Sequence, residues 1–328
     1  MDLSTTYMGL KLKNPIIVSS SRLTSSINYV MDCAASGAGA IVLKSLYEEQ
    51  LLVDVENLMD QDDKYFWYPE AVEFINEHSK EMGVAEYITL IKEAKEKTSI
   101  SILASVNCIT PAEWPKFAAK LEEAGIDGLE LNIAIMPFDP KISSQDIEDT
   151  YVEIVTEVKK YVTVPIAVKI GPFFTNPLSI VKRLEAAGAD AVVLFNRFYS
   201  PDIDLENEKV VRDIELSAPE EITQALRWVS LLSGKVTCDI AGNTGIHDAN
   251  GVIKHLLVGA AAAQVCSTLY INGIGYIDTM LEGLEKWMAK KNYSSLDQFK
   301  GKLSRDEKNA AAFERVQFMR KTLTGKID

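Results

Sequence analysis

One phrase recurs along the chain: a helical stretch, a glycine, then a short apolar run ending on a hydrogen-bonding side chain. It is clearest from Leu121 to Asn132, LEEAGIDGLELN, and again from Leu184 to Asn196, LEAAGADAVVLFN. Ala34 to Lys44, AASGAGAIVLK, is a third copy, and Leu256 to Ser267, LLVGAAAAQVCS, a looser fourth. Glycine closes a helix in the left-handed conformation without a Cβ penalty. An unbroken apolar run after it suits a strand covered on both faces, as parallel sheets require. Repetition of the phrase predicts a series of βα units.

Taken in order, residues 1–14 alternate apolar and polar (Leu3, Tyr7, Leu10, Leu12) and predict a small hairpin. Pro15 opens the first barrel strand, Ile16 to Ser19, where a missing N–H is harmless. Further strands are expected at Ala40–Leu43, Ile100–Val106, up to Asn132, Ile166–Val168, up to Asn196, Val236–Ile240 and Ala262–Val265. Helices are expected from Ala85 to Lys97 and from about Gln145 to Tyr161, and after Asn176-Pro177. Thr110-Pro111-Ala112-Glu113 and Ser217-Ala218-Pro219-Glu220 read as capping boxes that start two more. Eight strands alternating with helices predict an α/β fold, a single (β/α)₈ TIM barrel with a small N-terminal hairpin. The barrel would occupy 1–304, and 305–328 would form a C-terminal helical tail. A long insertion after strand two, about 47–82, is acidic early and aromatic later (Tyr65, Phe66, Trp67, Tyr68), the composition of a lid.

Charge and cysteine usage narrow the function. The 34 Lys+Arg against 47 Asp+Glu leave a net charge of −13 with no basic cluster, which argues against nucleic acid and anionic membrane surfaces. Cys33, Cys108, Cys238 and Cys266 lie far apart and read as buried thiols in a reducing compartment. His78, His247 and His255 show no metal-ligand spacing, so no metal site is expected. The N-terminus has no apolar run behind a basic start and no stretch spans a membrane, so a cytoplasmic protein acting on a small molecule is expected.

Active sites of such barrels sit at the C-terminal ends of the strands. Those ends hold Ser19, Lys44, Asn107, Asn132, Lys169 and Asn196. The last two strands lead instead into small turns, Gly242-Asn243-Thr244-Gly245 and Cys266-Ser267-Thr268, where backbone N–H groups can approach a phosphate. A rim of amides and two lysines suits an electron-rich, carbonyl-bearing heterocycle. FMN fits both halves, with a lysine near N1/O2 stabilising the anionic reduced ring; on spacing alone other phosphorylated ligands stay open. Lys169 follows an all-apolar pair in a central strand, a costly place for an ammonium unless it is paired or at the mouth. Cys266 and Cys108 read as packing residues.

Together NPIIVSSS (14–21), VLKS (42–45), ELN (130–132), VPIAVKI (164–170), GNTGI (242–246) and NYSSLDQFKGKL (292–303) resemble the class 1 dihydroorotate dehydrogenases. FNRFYSPDID (195–204) with ELNIAIMPFDP (130–140) is similar to the branch called dihydroorotate dehydrogenase-like proteins, which lacks the catalytic Cys. The resemblance implies an FMN flavoprotein, an oxidoreductase acting on CH–CH bonds in the chemistry of pyrimidine biosynthesis, and a homodimer. It implies flavin contacts from Ser20, Lys44, Ser45, Asn107, Asn132, Lys169 and Phe195. Gly242, Asn243, Thr244, Gly245, Cys266 and Ser267 would complete the cofactor site around the phosphate. Lys44, Asn132 and Asn196 would meet substrate, with Arg197 and Tyr199 as further candidates for carboxylate binding and proton transfer. Two departures stand out. The family's loop base, a Cys within Asn-Leu-Ser-Cys-Pro-Asn, is replaced by Ile133, Ala134, Ile135 and Met136, none of which ionises. The family's substrate loop after strand two is replaced by YFWYPEA (65–71). The rivals are a Schiff-base aldolase or lyase using Lys169 or Lys44, and a flavin-binding protein without turnover.

Overall fold

The computed structural model describes residues 1–48, 83–111, 115–136, 138–198, 201–211 and 216–304. The expected lid beyond Glu48, the tail 305–328 and Tyr199 lie outside the described residues. The chain opens with an antiparallel hairpin, β1 (Thr5–Tyr7) and β2 (Leu10–Leu12). Then come β3 (Ile16–Val18), helix α1 (Ile27–Ala35), β4 (Ala40–Val42) and the short β5 (Leu46–Tyr47). Next are α2 (Val84–Lys97), β6 (Ser101–Cys108), α3 (Pro115–Glu123), β7 (Gly128–Ile133) and α4 (Ser144–Lys159). They are followed by β8 (Ile166–Ile170), α5 (Pro177–Ala186), β9 (Ala191–Leu194) and a surface hairpin, β10 (Asp202–Asp204) with β11 (Lys209–Val211). The described chain closes with α6 (Ile222–Leu232), β12 (Asp239–Gly242), α7 (Ala249–Leu257), β13 (Ala262–Val265), α8 (Ser267–Asn272) and α9 (Tyr276–Lys291).

Strands β3, β4, β6, β7, β8, β9, β12 and β13 pair in parallel in that order, and β13 returns to pair with β3. The expected eight-stranded barrel is therefore closed. The recurring phrase explains its regularity: Gly125 and Gly188 leave their helices at φ +101° and +106°, where only glycine is unstrained. Two residues later, Asp127 and Asp190 each accept a hydrogen bond from an amide at the start of a neighbouring strand, Ile102 N at 2.8 Å and Ile166 N at 2.9 Å. Lys95 and Lys159 pair with these carboxylates from the preceding helices at 2.7 and 3.1 Å.

Strand residues alternate between two apolar cores. Ile16, Val18, Ile41, Leu131 and Val168 pack outward with the helices, while Ile17, Ala40, Val42, Ala167, Val193 and Ala241 point into the bore. The bore is lined largely by alanine, and Tyr7, Met8 and Leu12 of the hairpin fill it from the N-terminal end. Thr5 Oγ1 donates to the Ala261 carbonyl (2.9 Å) and Met8 N to Asp239 (2.8 Å), pinning the hairpin there.

Two local expectations shift. The seventh strand begins at Asp239, because Glu185 Oε1 takes the amides of Thr237 (2.6 Å) and Cys238 (2.8 Å) that a strand would have used. The box at Ser217 moves by one residue: Glu221 Oε1 accepts from Ala218 N at 2.7 Å, which leaves the Ser217 side chain to the site.

Candidate active site

The inward alternation changes character towards the C-terminal end of the bore. Above the alanines stands a buried polar layer of Ser19, Glu130, Lys169 and Gln264, contributed by or directly following β3, β7, β8 and β13. Lys169 Nζ donates to Ser19 Oγ (3.3 Å) and Gln264 Oε1 (3.2 Å) and lies 3.6 Å from Glu130 Oε1. Gln264 Nε2 donates to Glu130 Oε2, and Ser19 Oγ donates to Gln264 Oε1 at 2.8 Å. Lys169 meets both of the conditions under which an ammonium is tolerated at that position: it is paired, and although only 6% exposed it lines a cleft.

That cleft, of about 210 Å³, collects Ser20, Lys169, Asn196, Arg197, Asn243, Thr244, Gly245, Cys266 and Ser267. Cross-strand register sets Asn132 beside Lys169 and Asn107 beside Asn132. Asn196 Nδ2 donates to Asn132 Oδ1 at 2.8 Å, joining two of the expected substrate residues. Ser45 N donates to Ser20 Oγ (2.8 Å), and the Ser45 hydroxyl pairs with that of Ser105 (2.7 Å). Lys44 is half-buried, its backbone N–H donating to the Thr24 carbonyl (3.3 Å). Phe195 contributes through its backbone, its carbonyl accepting from Asn243 Nδ2 (2.7 Å) and Thr244 Oγ1 (3.1 Å), while its side chain is buried. Gly242 faces α7: a Cβ there would stand 2.2 Å from His255 Nδ1. Arg197 is held by Glu221, Nε to Oε2 at 2.9 Å, and both line an adjoining cleft of about 320 Å³ with Phe173 and Phe198.

The turn after β12 is tight. Thr244 and Gly245 have φ of +72° and +73°, and a Cβ on Gly245 would fall 2.2 Å from the Ile222 nitrogen, so only glycine lets the turn sit against the start of α6. Ser217 N and Oγ both donate to Ser267 Oγ (2.9 and 3.0 Å), and His247 Nε2 lies 3.2 Å from Ser217 Oγ. Burial raises the Cys266 thiol, and it drives Cys108 well above the ordinary thiol range, so neither is poised as a thiolate. Cys108 is sealed from solvent, as its packing role predicts. Among the described residues no group of His, Cys, Asp and Glu could hold a metal ion.

Sequence reading passed over Glu130, Gln264, Ser217 and His247. Glu130 and Gln264 were detectable as polar residues inside apolar runs, GLEL and AAAAQV, in the same inward phase as Asn132 and Cys266. Ser217 and His247 carry no such local signal.

The sequence model of one family, "Dihydroorotate dehydrogenase", matches residues 2–288. The chain belongs to the dihydroorotate dehydrogenase family. Among its relatives, the dihydroorotate dehydrogenase B (NAD(+)) catalytic subunit of Thermoplasma volcanium is 29% identical over 307 residues, covering 92% of this chain and 98% of the relative. The protein of the same description from Petrotoga mobilis is 33% identical over 208 residues, 61% of this chain and 68% of the relative. A crystal structure of dihydroorotate dehydrogenase from Eimeria tenella, in complex with ferulenol, superposes with a TM-score of 0.67 at 13% identity, over 93% of this chain and 89% of that one, a likeness of fold. Dihydroorotate dehydrogenase family enzymes are FMN flavoproteins acting on CH–CH bonds. The donor set here suits that cofactor: one buried ammonium, a band of amides and hydroxyls, and the tight Thr244-Gly245 turn lining the same cleft.

Proposed function

We propose that the chain catalyses FMN-dependent hydride transfer at a CH–CH bond of a small heterocyclic or carboxylate substrate, dihydroorotate being the nearest named one. The observation that carries this reading is Lys169, an ammonium held by Ser19 and Gln264 at the floor of the cleft. FMN, when bound, supplies a hydride acceptor at N5. Lys169 would hold a fixed positive charge against the ring, and Thr244, Gly245 and Ser267 would hold the phosphate.

The paired asparagines carry the substrate chemistry. Asn196 gives its amide nitrogen to Asn132 Oδ1, which leaves Asn132 Nδ2 to donate and Asn196 Oδ1 to accept. A donor beside an acceptor complements the C=O and N–H of a ring amide. Arg197 stands next to Asn196 and would meet a carboxylate. Proton removal has no acceptor in 133–136, where Ala134 and Ile135 stand, so a substrate proton must leave by another group or to solvent. A Schiff-base role for Lys169 is disfavoured, since Nζ is already engaged by Ser19, Gln264 and Glu130.

Anaerobic addition of dihydroorotate to the purified yellow protein tests the reading. Bleaching of the flavin makes dihydroorotate a substrate and places the base outside 133–136. A flavin that stays oxidised but is bleached by another ring amide with a CH–CH bond keeps the reaction and changes the substrate. A colourless protein that takes up no FMN overturns the proposal.

A further inference from the structure

We infer that Glu130 is a positioning residue that sets how much of the Lys169 charge is felt in the cleft. The inference rests on the flavin reading above. Glu130 is 0% exposed, on β7, on the far side of the bore from Gln264 on β13. An ionised carboxylate can only accept hydrogen bonds. Gln264 must therefore turn its Nε2 towards Glu130 and its Oε1 towards Lys169 and Ser19, as observed. Removing the carboxylate frees that amide to flip and present a donor to an ammonium.

The second observation concerns charge. Glu130 Oε1 has no hydrogen-bond partner and lies 3.6 Å from Lys169 Nζ, nearer to a pure charge contact than to a hydrogen bond. As packing, this arrangement is a poor choice. The bore below is filled by alanines and hairpin side chains, and an apolar pair of similar volume would avoid the desolvation cost of two buried ions. The carboxylate instead leaves the layer neutral overall while Lys169 reaches the cleft. Negative charge arriving on a ring above Lys169 then competes with Glu130 for the ammonium. Glu130 lowers the pull of Lys169 on a reduced flavin, and its loss raises it.

The test is the reduction potential of FMN bound to the holoenzyme, measured against a reference dye. Glu130→Gln is expected to shift the two-electron equilibrium at least about tenfold towards reduced flavin, the scale of a unit charge lost about 12 Å away at an effective dielectric near 20, which is a rise of about 30 mV. In a Lys169→Met background the same substitution should shift it far less, since a fully buried carboxylate without its counter-charge takes up a proton and has no charge left to remove. Should Glu130→Gln not fold, Glu130→Asp withdraws the carboxylate from Nζ and is expected to raise the potential by a smaller step. A folded, flavin-bearing Glu130→Gln or Glu130→Asp protein with the wild-type potential overturns the inference, as does a full shift surviving in the Lys169→Met background. A wild-type protein that binds no FMN is a different failure, and removes the flavin reading together with this one.

Discussion

The two ends of the barrel bore are filled from the same alternating strand positions but with opposite chemistry. At the N-terminal end, Ala40, Ala167, Ala191, Ala241 and Ala262 leave space that Tyr7, Met8 and Leu12 of the hairpin occupy. At the C-terminal end, the inward positions that follow Ile17, Ala167, Ala241 and Ala262 are Ser19, Lys169, Asn243 and Gln264, with Glu130 completing the layer. The lower end can be read as a plug, where burial of apolar surface stabilises the fold. The upper end brings two charges and several amides out of water, which costs stability unless each is matched. A fold maintains such a layer where a cleft uses it.

The largest expected effects come from emptying either end, and they should separate stability from cofactor binding. Lys169→Ala leaves Glu130 buried without its counter-charge, and a loss of about 3–5 kcal/mol is expected, accompanied by weaker FMN binding. Tyr7→Ala opens a cavity in the plug and should cost about 3–5 kcal/mol with FMN affinity in the folded protein unchanged. Urea denaturation with flavin titration reads both, and equal losses of affinity in the two variants would erase the distinction between plug and site.

A pH effect of intermediate size comes from the outer side of the turn at Gly242. His255 on α7 is fully buried behind Gly242, with neither ring nitrogen hydrogen-bonded, and burial lowers its pKa from 6.5 to about 3. Between those values the unfolded chain binds a proton that the folded one refuses. Stability therefore falls as pH drops below about 6.5 towards 3, by at most about 1.4 kcal/mol per pH unit from this group. In His255→Leu the difference in unfolding free energy between pH 7 and pH 5 should shrink by about 2 kcal/mol; an identical difference in both proteins would show that His255 is not the group that titrates.

The smallest effect sharpens the comparison most. The Tyr7 hydroxyl is buried with no hydrogen-bond partner, and burial together with the nearby Glu130 charge pushes its pKa well above the usual phenol value. Tyr7→Phe deletes only that hydroxyl and should leave stability unchanged or raise it by about 1 kcal/mol. A loss of 2 kcal/mol or more by the same urea measurement, against the roughly 1–3 kcal/mol scale of a broken buried hydrogen bond, would mean that the hydroxyl is satisfied by a buried water and belongs to the polar layer.

Much of this was legible along the chain. Helix, glycine and apolar strand recur with a period that local chemistry alone produces, so eight parallel strands and the hairpin before them followed from pattern. Lys169, Asn132 and Asn196 were legible too, because a polar side chain at the end of an apolar strand has few reasons to be there. Val236 to Cys238 misled, since its amides are taken by Glu185, a residue about fifty positions earlier whose reach no window of sequence contains.

The sequence by itself determined the barrel, the ring of strand-end side chains and the absence of an ionisable group at Ala134 and Ile135. Those properties reside in local periodicity and in residue identity, which are complete before the chain folds. Only the tertiary structure decided that Glu130 and Gln264 meet across the bore, that Ser217 leaves its capping position to join Ser267 and His247, and that Arg197 is held by Glu221. Each of these is a contact between distant segments, chosen when a buried donor or acceptor must find a partner once water has been excluded.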